Sequence, residues 1–272
     1  PPEEGRIIEQ IRSMSTYLQY TSRQTSNLSA IMESRSPLHK AKQLLIVLSP
    51  SWTSPHAHLL RMARQHTNAA WRPCGELIAV TLGRNGLAWG RSPIFTVNRL
   101  ERQKTEGDQC APAGIFAISK LFGDALPDSP HCQAFKLPYL ATNQALKCID
   151  DPQSRFYNQI VAASEIAQAD WQSHEEMLRN DHRYELGAVI EHNPDATPAA
   201  GSCVFLHVWD KPGIPTAGCT AMSLADMQTI ATWLDAEAHP LLVQLPHASY
   251  AEYQTHWQLP TLTAFDNLPT LP

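Results

Sequence analysis

The sequence predicts a mainly β fold with helical insertions and a helical extension at its N-terminus. Three observations carry this reading. From Glu76 onward, short apolar runs alternate with turn residues, as expected of a β core. The 21 prolines against 12 glycines favour short strands and extended connections over long helices. Apolar residues recur at helical spacing chiefly in the first 40 residues and again after Ser223.

In chain order, residues 1–40 place Ile7, Ile8, Ile11, Met14 and Leu18, then Leu28, Ile31 and Met32, on one or two amphipathic helices. This extension either packs on its own domain or docks a partner. Residues 41–246 read as the main domain. Gln43 to Leu48 is an apolar strand stopped by Ser49-Pro50-Ser51, and His56 to Arg64 reads as a short helix. Strands are expected at Leu77 to Leu82, Gly86 to Gly90, Gly114 to Ser119, Ala145 to Ile149, Leu186 to Glu191, Ser202 to Val208 and Pro240 to Leu245. Residues 153–184 read as helical insertions over one end of the sheets. Ser223 is a candidate N-cap for a helix whose apolar face is Met227, Ile230, Ala231 and Leu234. Residues 247–272 are proline-punctuated and read as a tail wrapped on the surface.

A formal net charge of −5 with no basic run makes nucleic acid an unexpected partner. No apolar segment approaches the roughly 20 residues that span a bilayer, so no transmembrane segment is expected. The absence of a CxxC pair or a tightly spaced histidine pair predicts no metal site, and no cofactor is expected.

The chemistry is concentrated late in the chain. The run Cys203-Val204-Phe205-Leu206 ends in His207, and Pro215-Thr216-Ala217-Gly218-Cys219 comes after a short polar loop. A thiol near its ordinary pKa is a poor nucleophile at neutrality and gains reactivity when an imidazole takes its proton. His207 is the candidate base for Cys219. Paired in this way, the thiol is expected to react below the pH of a free cysteine. The N–H groups of Gly218, Cys219 and Thr220 are candidates for an oxyanion hole, and Thr216 for orienting the imidazole. If Cys219 is a free thiol, five cysteines remain. Cys132–Cys148 is the preferred bridge, Cys74–Cys110 a weaker one, and Cys203 the unpaired residue.

These residues, with others upstream, resemble the L,D-transpeptidase catalytic domain, the YkuD-like family. The matching segments occur in order: Leu82 to Gly90, a glycine-rich hairpin; Lys104-Thr105-Glu106-Gly107-Asp108 with Ala111-Pro112-Ala113-Gly114-Ile115-Phe116; Asp150-Asp151-Pro152 with Tyr157-Asn158; Glu191-His192-Asn193; and Gly201 to His207 with Pro215 to Cys219. The resemblance covers about residues 76–246 and is closest to the branch written T-x-G-C. Ala217 and Ala221 stand where many members carry a second histidine and an arginine, so a carboxylate grip must come from elsewhere. Arg155, Arg183 and Lys211 are candidates.

The resemblance implies a YkuD-like β-sandwich or barrel. It also implies a cysteine acyltransferase acting on peptidoglycan tetrapeptide stems, in which Cys219 forms a thioester and releases the terminal D-alanine. Tyr157, Asn158, Asn193, Trp209 and Glu106 are the expected substrate contacts, with His192 also near the cleft. The alternatives are an L,D-carboxypeptidase, in which water resolves the thioester, and a wall-binding module that has lost catalysis. The substrate implies a periplasmic or cell-envelope location. A signal peptide would direct the protein there and is absent from these residues.

Overall fold

The structure is a computed structural model that describes residues 36–95, 97 and 102–262. Contacts divide the chain into Pro1–His39 and Lys40–Pro272. The expected N-terminal helices lie outside the described residues. Every strand and helix among the described residues belongs to the second unit.

Fourteen strands and two α-helices are present among the described residues. In chain order the strands are β1 (Gln43–Ser49), β2 (His56–Ala63), β3 (Arg72–Pro73), β4 (Ile78–Thr81), β5 (Leu87–Trp89), β6 (Ala111–Gly123) and β7 (Tyr139–Ala141). They continue with β8 (Leu146–Cys148), β9 (Ile160–Ala162), β10 (Glu175–Glu176), β11 (Leu186–Ile190), β12 (Phe205–Val208), β13 (Thr220–Met222) and β14 (Leu241–Pro246). The helices are α1 (Leu224–Trp233), between β13 and β14, and α2 (His247–Trp257), after β14.

The fold is mainly β, and eight strands close on themselves as a barrel. Their order is β1-β14-β6-β11-β12-β13-β4-β2, with β2 pairing back onto β1. Closure leaves these strands without a free edge. It also explains why β1, Gln-Leu-Leu-Ile-Val-Leu-Ser, is buried along its whole length. Two neighbouring pairs are parallel, β1 with β14 and β12 with β13. Parallel neighbours need a crossover of roughly a dozen residues. For β12 and β13 that crossover is residues 209–219, and Cys219 is its last residue. A smaller sheet, β10-β8-β9, stands apart from the barrel.

Helix α1 begins as expected, with Ser223 Oγ accepting the Asp226 N–H at 3.1 Å. It buries Met227, Ile230 and Ala231 and lies against β11 and β12.

Three local expectations give way. His56–Ala63 is a strand, not a helix: its His-Ala-His-Leu-Leu-Arg-Met-Ala pattern is half-buried by alternation, and both its edges are hydrogen-bonded, to β1 and β4. Residues 153–184 hold β9, β10 and a single 3₁₀ turn at Ala163–Glu165 rather than helical insertions. Their backbone is tied by polar side chains, among them Asp151, whose carboxylate accepts the Gln153 and Gln172 N–H groups. The segment expected to wrap the surface begins with α2, which buries Tyr250 and Trp257 and joins an aromatic cluster with Trp89 and Phe95.

The disulfide also differs from expectation. Cys148 is bonded to Cys203, while Cys74, Cys110, Cys132 and Cys219 are free. Cys148 ends β8, which packs in one apolar cluster with Phe205, Tyr184 and Cys219. The topology therefore brings together cysteines separated by 55 residues, a proximity that spacing along the chain does not reveal.

Candidate active site

Cys219 precedes β13, and His207 lies on β12. The ladder pairs Leu206 with Thr220 and His207 with Ala221. Cys219 thus falls beside Phe205, whose N–H points at Cys219 Sγ from 3.3 Å. Alternate residues of a strand share a face, so His207 lies on the same side as Phe205. This places the imidazole on the same wall as the thiol, two residues further along the ladder. Both line a cavity of about 480 Å³, together with Trp209, Glu175, Tyr184 and Arg183.

The tautomer of His207 is set by its partner. Nδ1 lies 2.7 Å from the Val208 carbonyl oxygen, which can only accept, so Nδ1 carries the proton and Nε2 keeps its lone pair. The ring meets the edge of Tyr184 at 5.4 Å between centroids. Burial lowers the imidazole pKa to about 4, so the ring is neutral at pH 7.

Cys219 Sγ faces the Cys203 carbonyl at 3.6 Å, and no hydrogen bond joins it to His207 in this state. Burial pushes the thiol up to about 12, with the Glu175 carboxyl adding to the rise. This reverses the expected lowering. Desolvation of two buried neutral groups outweighs the favourable field of Lys104 and Arg179, so the resting pair is thiol and imidazole rather than thiolate and imidazolium.

The loop before Cys219 is stitched to the hairpin between β4 and β5. Thr216 donates its hydroxyl to the Cys219 carbonyl at 2.7 Å and accepts the Gly218 N–H at 3.0 Å. Its backbone bonds Leu82 and Arg84. Thr216 therefore shapes the thiol's loop, while the imidazole is held by Val208. The Gly218 N–H is occupied and the Thr220 N–H belongs to the β12–β13 ladder, which leaves Cys219 from the proposed oxyanion trio. A Cβ on Gly218 would lie 3.1 Å from the Cys110 carbonyl oxygen. Gly187, opposite His207 in the ladder with β11, is tighter still. A Cβ there would collide with the Phe122 ring at 2.3 Å and the Leu206 carbonyl oxygen at 2.7 Å.

Of the expected substrate contacts, Trp209 lines this cavity. The others sit behind it. Glu106 accepts hydrogen bonds from the Tyr157 hydroxyl and from Ser202 Oγ. Tyr157 is buried, and its oxygen also accepts the Gly201 N–H. Asn158 donates to the His192 and Asn193 carbonyls and accepts the Cys203 N–H. Asn193 braces Thr197 and Gly201. His192 is a core residue held by the Arg91 N–H and the Ala200 carbonyl, its pKa lowered by burial to about 3. This network fixes the approach to β12. Lys104 and Asp108 form a buried ion pair at 2.9 Å behind Gly218.

Among the candidate carboxylate grips, Arg183 lines the cavity, whereas Arg155 lies with Asp170 and Phe156. Arg84 lines it too. Glu175 and Tyr184 are cavity residues the sequence did not mark. Glu175 stands in β10, within a stretch whose polar composition read as helical. Tyr184 is one aromatic among many, and no motif singles it out.

Among the described residues no group of His, Cys, Asp and Glu could hold a metal ion, and no helix is long and apolar enough to cross a membrane. No family model, curated protein or solved structure matches the chain.

Proposed function

We propose that the protein is a cysteine acyltransferase of the L,D-transpeptidase type, acting on peptidoglycan tetrapeptide stems in the cell envelope. The observation that carries this reading is a free thiol and an imidazole with an open Nε2, set on one cavity wall at the end of the β12–β13 crossover. The ordered motifs over residues 76–246 supply the substrate class.

In this reading the bond between the diamino acid and the terminal D-alanine enters beside Trp209. As Cys219 Sγ attacks the scissile carbonyl, its proton passes to His207 Nε2. The Cys219 N–H receives the developing oxyanion. The imidazolium then protonates the departing nitrogen, D-alanine leaves, and the thioester remains. The donor's carboxylate has guanidinium partners in Arg84 and Arg183. A neutral resting pair supports concerted proton transfer, with the thiolate formed only as the carbon–sulfur bond forms.

Mass spectrometry of tetrapeptide muropeptides incubated with the protein tests the reading. The wild type should release D-alanine, and Cys219→Ala should abolish release while leaving the fold intact. Release at the wild-type rate from Cys219→Ala would remove the assignment. The hydrolytic alternative differs in product: tripeptide alone, whatever D-amino acid is added.

A further inference from the structure

Glu175 is a half-buried ionisable group at the same cavity that acylation by Cys219 and His207 leaves unused. The register of β10 with β8 sets Glu175 opposite Cys148, whose disulfide ties this small sheet to the segment entering β12. One carboxylate oxygen, Oε2, accepts the Tyr184 hydroxyl. The other meets no donor among the described residues, and the side chain lines the cavity with Cys219. Tyr184 in turn sets its ring edge against His207. The cavity therefore has two proton acceptors on different elements, an imidazole lone pair on β12 and a carboxylate on β10.

We propose that Glu175 is the recognition group and first proton acceptor for an acyl acceptor that arrives as an ammonium ion. The acceptor class is a primary amine of the amino-acid type. This inference rests on the acyltransferase reading above.

Bonds and protons balance across the transfer. The acceptor R–NH₃⁺ pairs with the Glu175 carboxylate and gives it one proton, leaving R–NH₂ and a neutral carboxylic acid. The amine nitrogen attacks the thioester carbonyl, forming the C–N bond. His207 Nε2 takes a second proton from that nitrogen. The C–S bond breaks, and Cys219 leaves as thiolate and receives the proton from the imidazolium. Water needs no help from Glu175 to compete, so loss of the carboxylate changes how one thioester partitions. Burial raises the Glu175 pKa, which suits a group that must accept a proton from an amine. The charged and titratable groups facing it are the Tyr184 hydroxyl, Arg179, Asp150, Glu106 and Cys219.

The test is the product ratio, exchanged tetrapeptide over tripeptide, with a tetrapeptide stem as donor and D-methionine as acceptor. Both products come from the same thioester, so the ratio is independent of the acylation rate. At pH 7, Glu175→Gln should lower the ratio at least tenfold, the lower end of what a positioned base contributes being about a hundredfold. The deficit should shrink by pH 9, where the amine loses its proton unaided. A merely structural role would not produce this pH-dependent recovery. Should Glu175→Gln not accumulate as folded protein, Glu175→Asp carries the same test with a smaller deficit that likewise closes by pH 9. An unchanged ratio in the variant, or a deficit that persists at pH 9, overturns the inference and leaves the acyltransferase reading standing. Tripeptide alone from the wild type overturns it in favour of hydrolysis. Neither product from the wild type overturns the acyltransferase reading itself, and this inference with it.

Discussion

At the scale of the residue, the state of Cys219 decides the chemistry. Its thiol is neutral because burial raises its pKa to about 12, and His207 is neutral because burial lowers its own to about 4. Two measurements check this state. Iodoacetamide labelling of Cys219 against pH should be slow at neutrality and should rise only above pH 9, the ordinary value of a thiol. A labelling midpoint below 8 would mean that an ion pair exists after all. His207→Ala should lower acylation by about 10²–10⁴-fold with little change in substrate affinity, because proton removal matters in the transition state. If the variant acylates normally once folded, the imidazole is only a packing group. Cys219 and His207 could be read from the sequence because they flank one short crossover. Glu175 and Tyr184 reach the same wall from a separate sheet, and no local pattern records that approach. Asn158 and Asn193 were legible as conspicuous polar residues, but not as backbone braces. That role depends on the left-handed conformation both adopt, with φ of 60° and 52°.

At the scale of the element, the strands with strong apolar runs, β1, β4, β11 and β14, are direct consequences of hydrophobic pattern. β2 is not, because its two histidines and arginine obscure an alternation that only its neighbours make worthwhile. The Cys148–Cys203 bond couples two elements that sequence reading held apart. Replacing both cysteines by serine should cost about 2–4 kcal/mol in denaturant unfolding, the common range for a native bridge. Because Cys203 presents its carbonyl to Cys219 Sγ, the same variant should also lose turnover. Full stability and full turnover would show that packing alone holds β8 against β12. For α1, Ser223→Ala should destabilise by about 1 kcal/mol through loss of its N-cap, read as a shifted denaturation midpoint at constant slope.

At the scale of the whole molecule, the sequence left sandwich and barrel open, since closure depends on the pairing of β2 with β1 and the residues that form β2 read as a short helix. The buried groups set a pH window for the closed structure. His207 and His192 have folded pKa values of about 4 and about 3, below the ordinary 6.5. The unfolded chain therefore binds more protons than the folded one in this range. Their contribution to stability is full above 6.5 and is lost as pH falls toward those values. Cys219 acts in the opposite sense: its folded pKa lies above the ordinary 9.0, so its contribution is full below pH 9 and is lost as pH rises toward about 12. Thermal melting should show a plateau between these limits, with the acid shoulder reduced in His207→Ala. A melting temperature that keeps rising from pH 7 down to pH 4 would contradict the buried neutral histidines.

The crossover that carries Cys219 is built in two unequal parts. Asp210 to Ile214 is exposed, and a side chain at Gly213 would meet nothing within 4 Å. Thr216, by contrast, is anchored to the hairpin through its backbone and to the Cys219 carbonyl and the Gly218 N–H through its hydroxyl. Lengthening a flexible loop costs little, since the closure penalty grows only logarithmically. Descendants of this chain can therefore acquire insertions at Asp210–Ile214 that reshape the mouth of the cavity while the thiol stays in register. If Cys219 acts as proposed above, substrate choice is free to drift on one side of Thr216 as the reaction is held constant on the other.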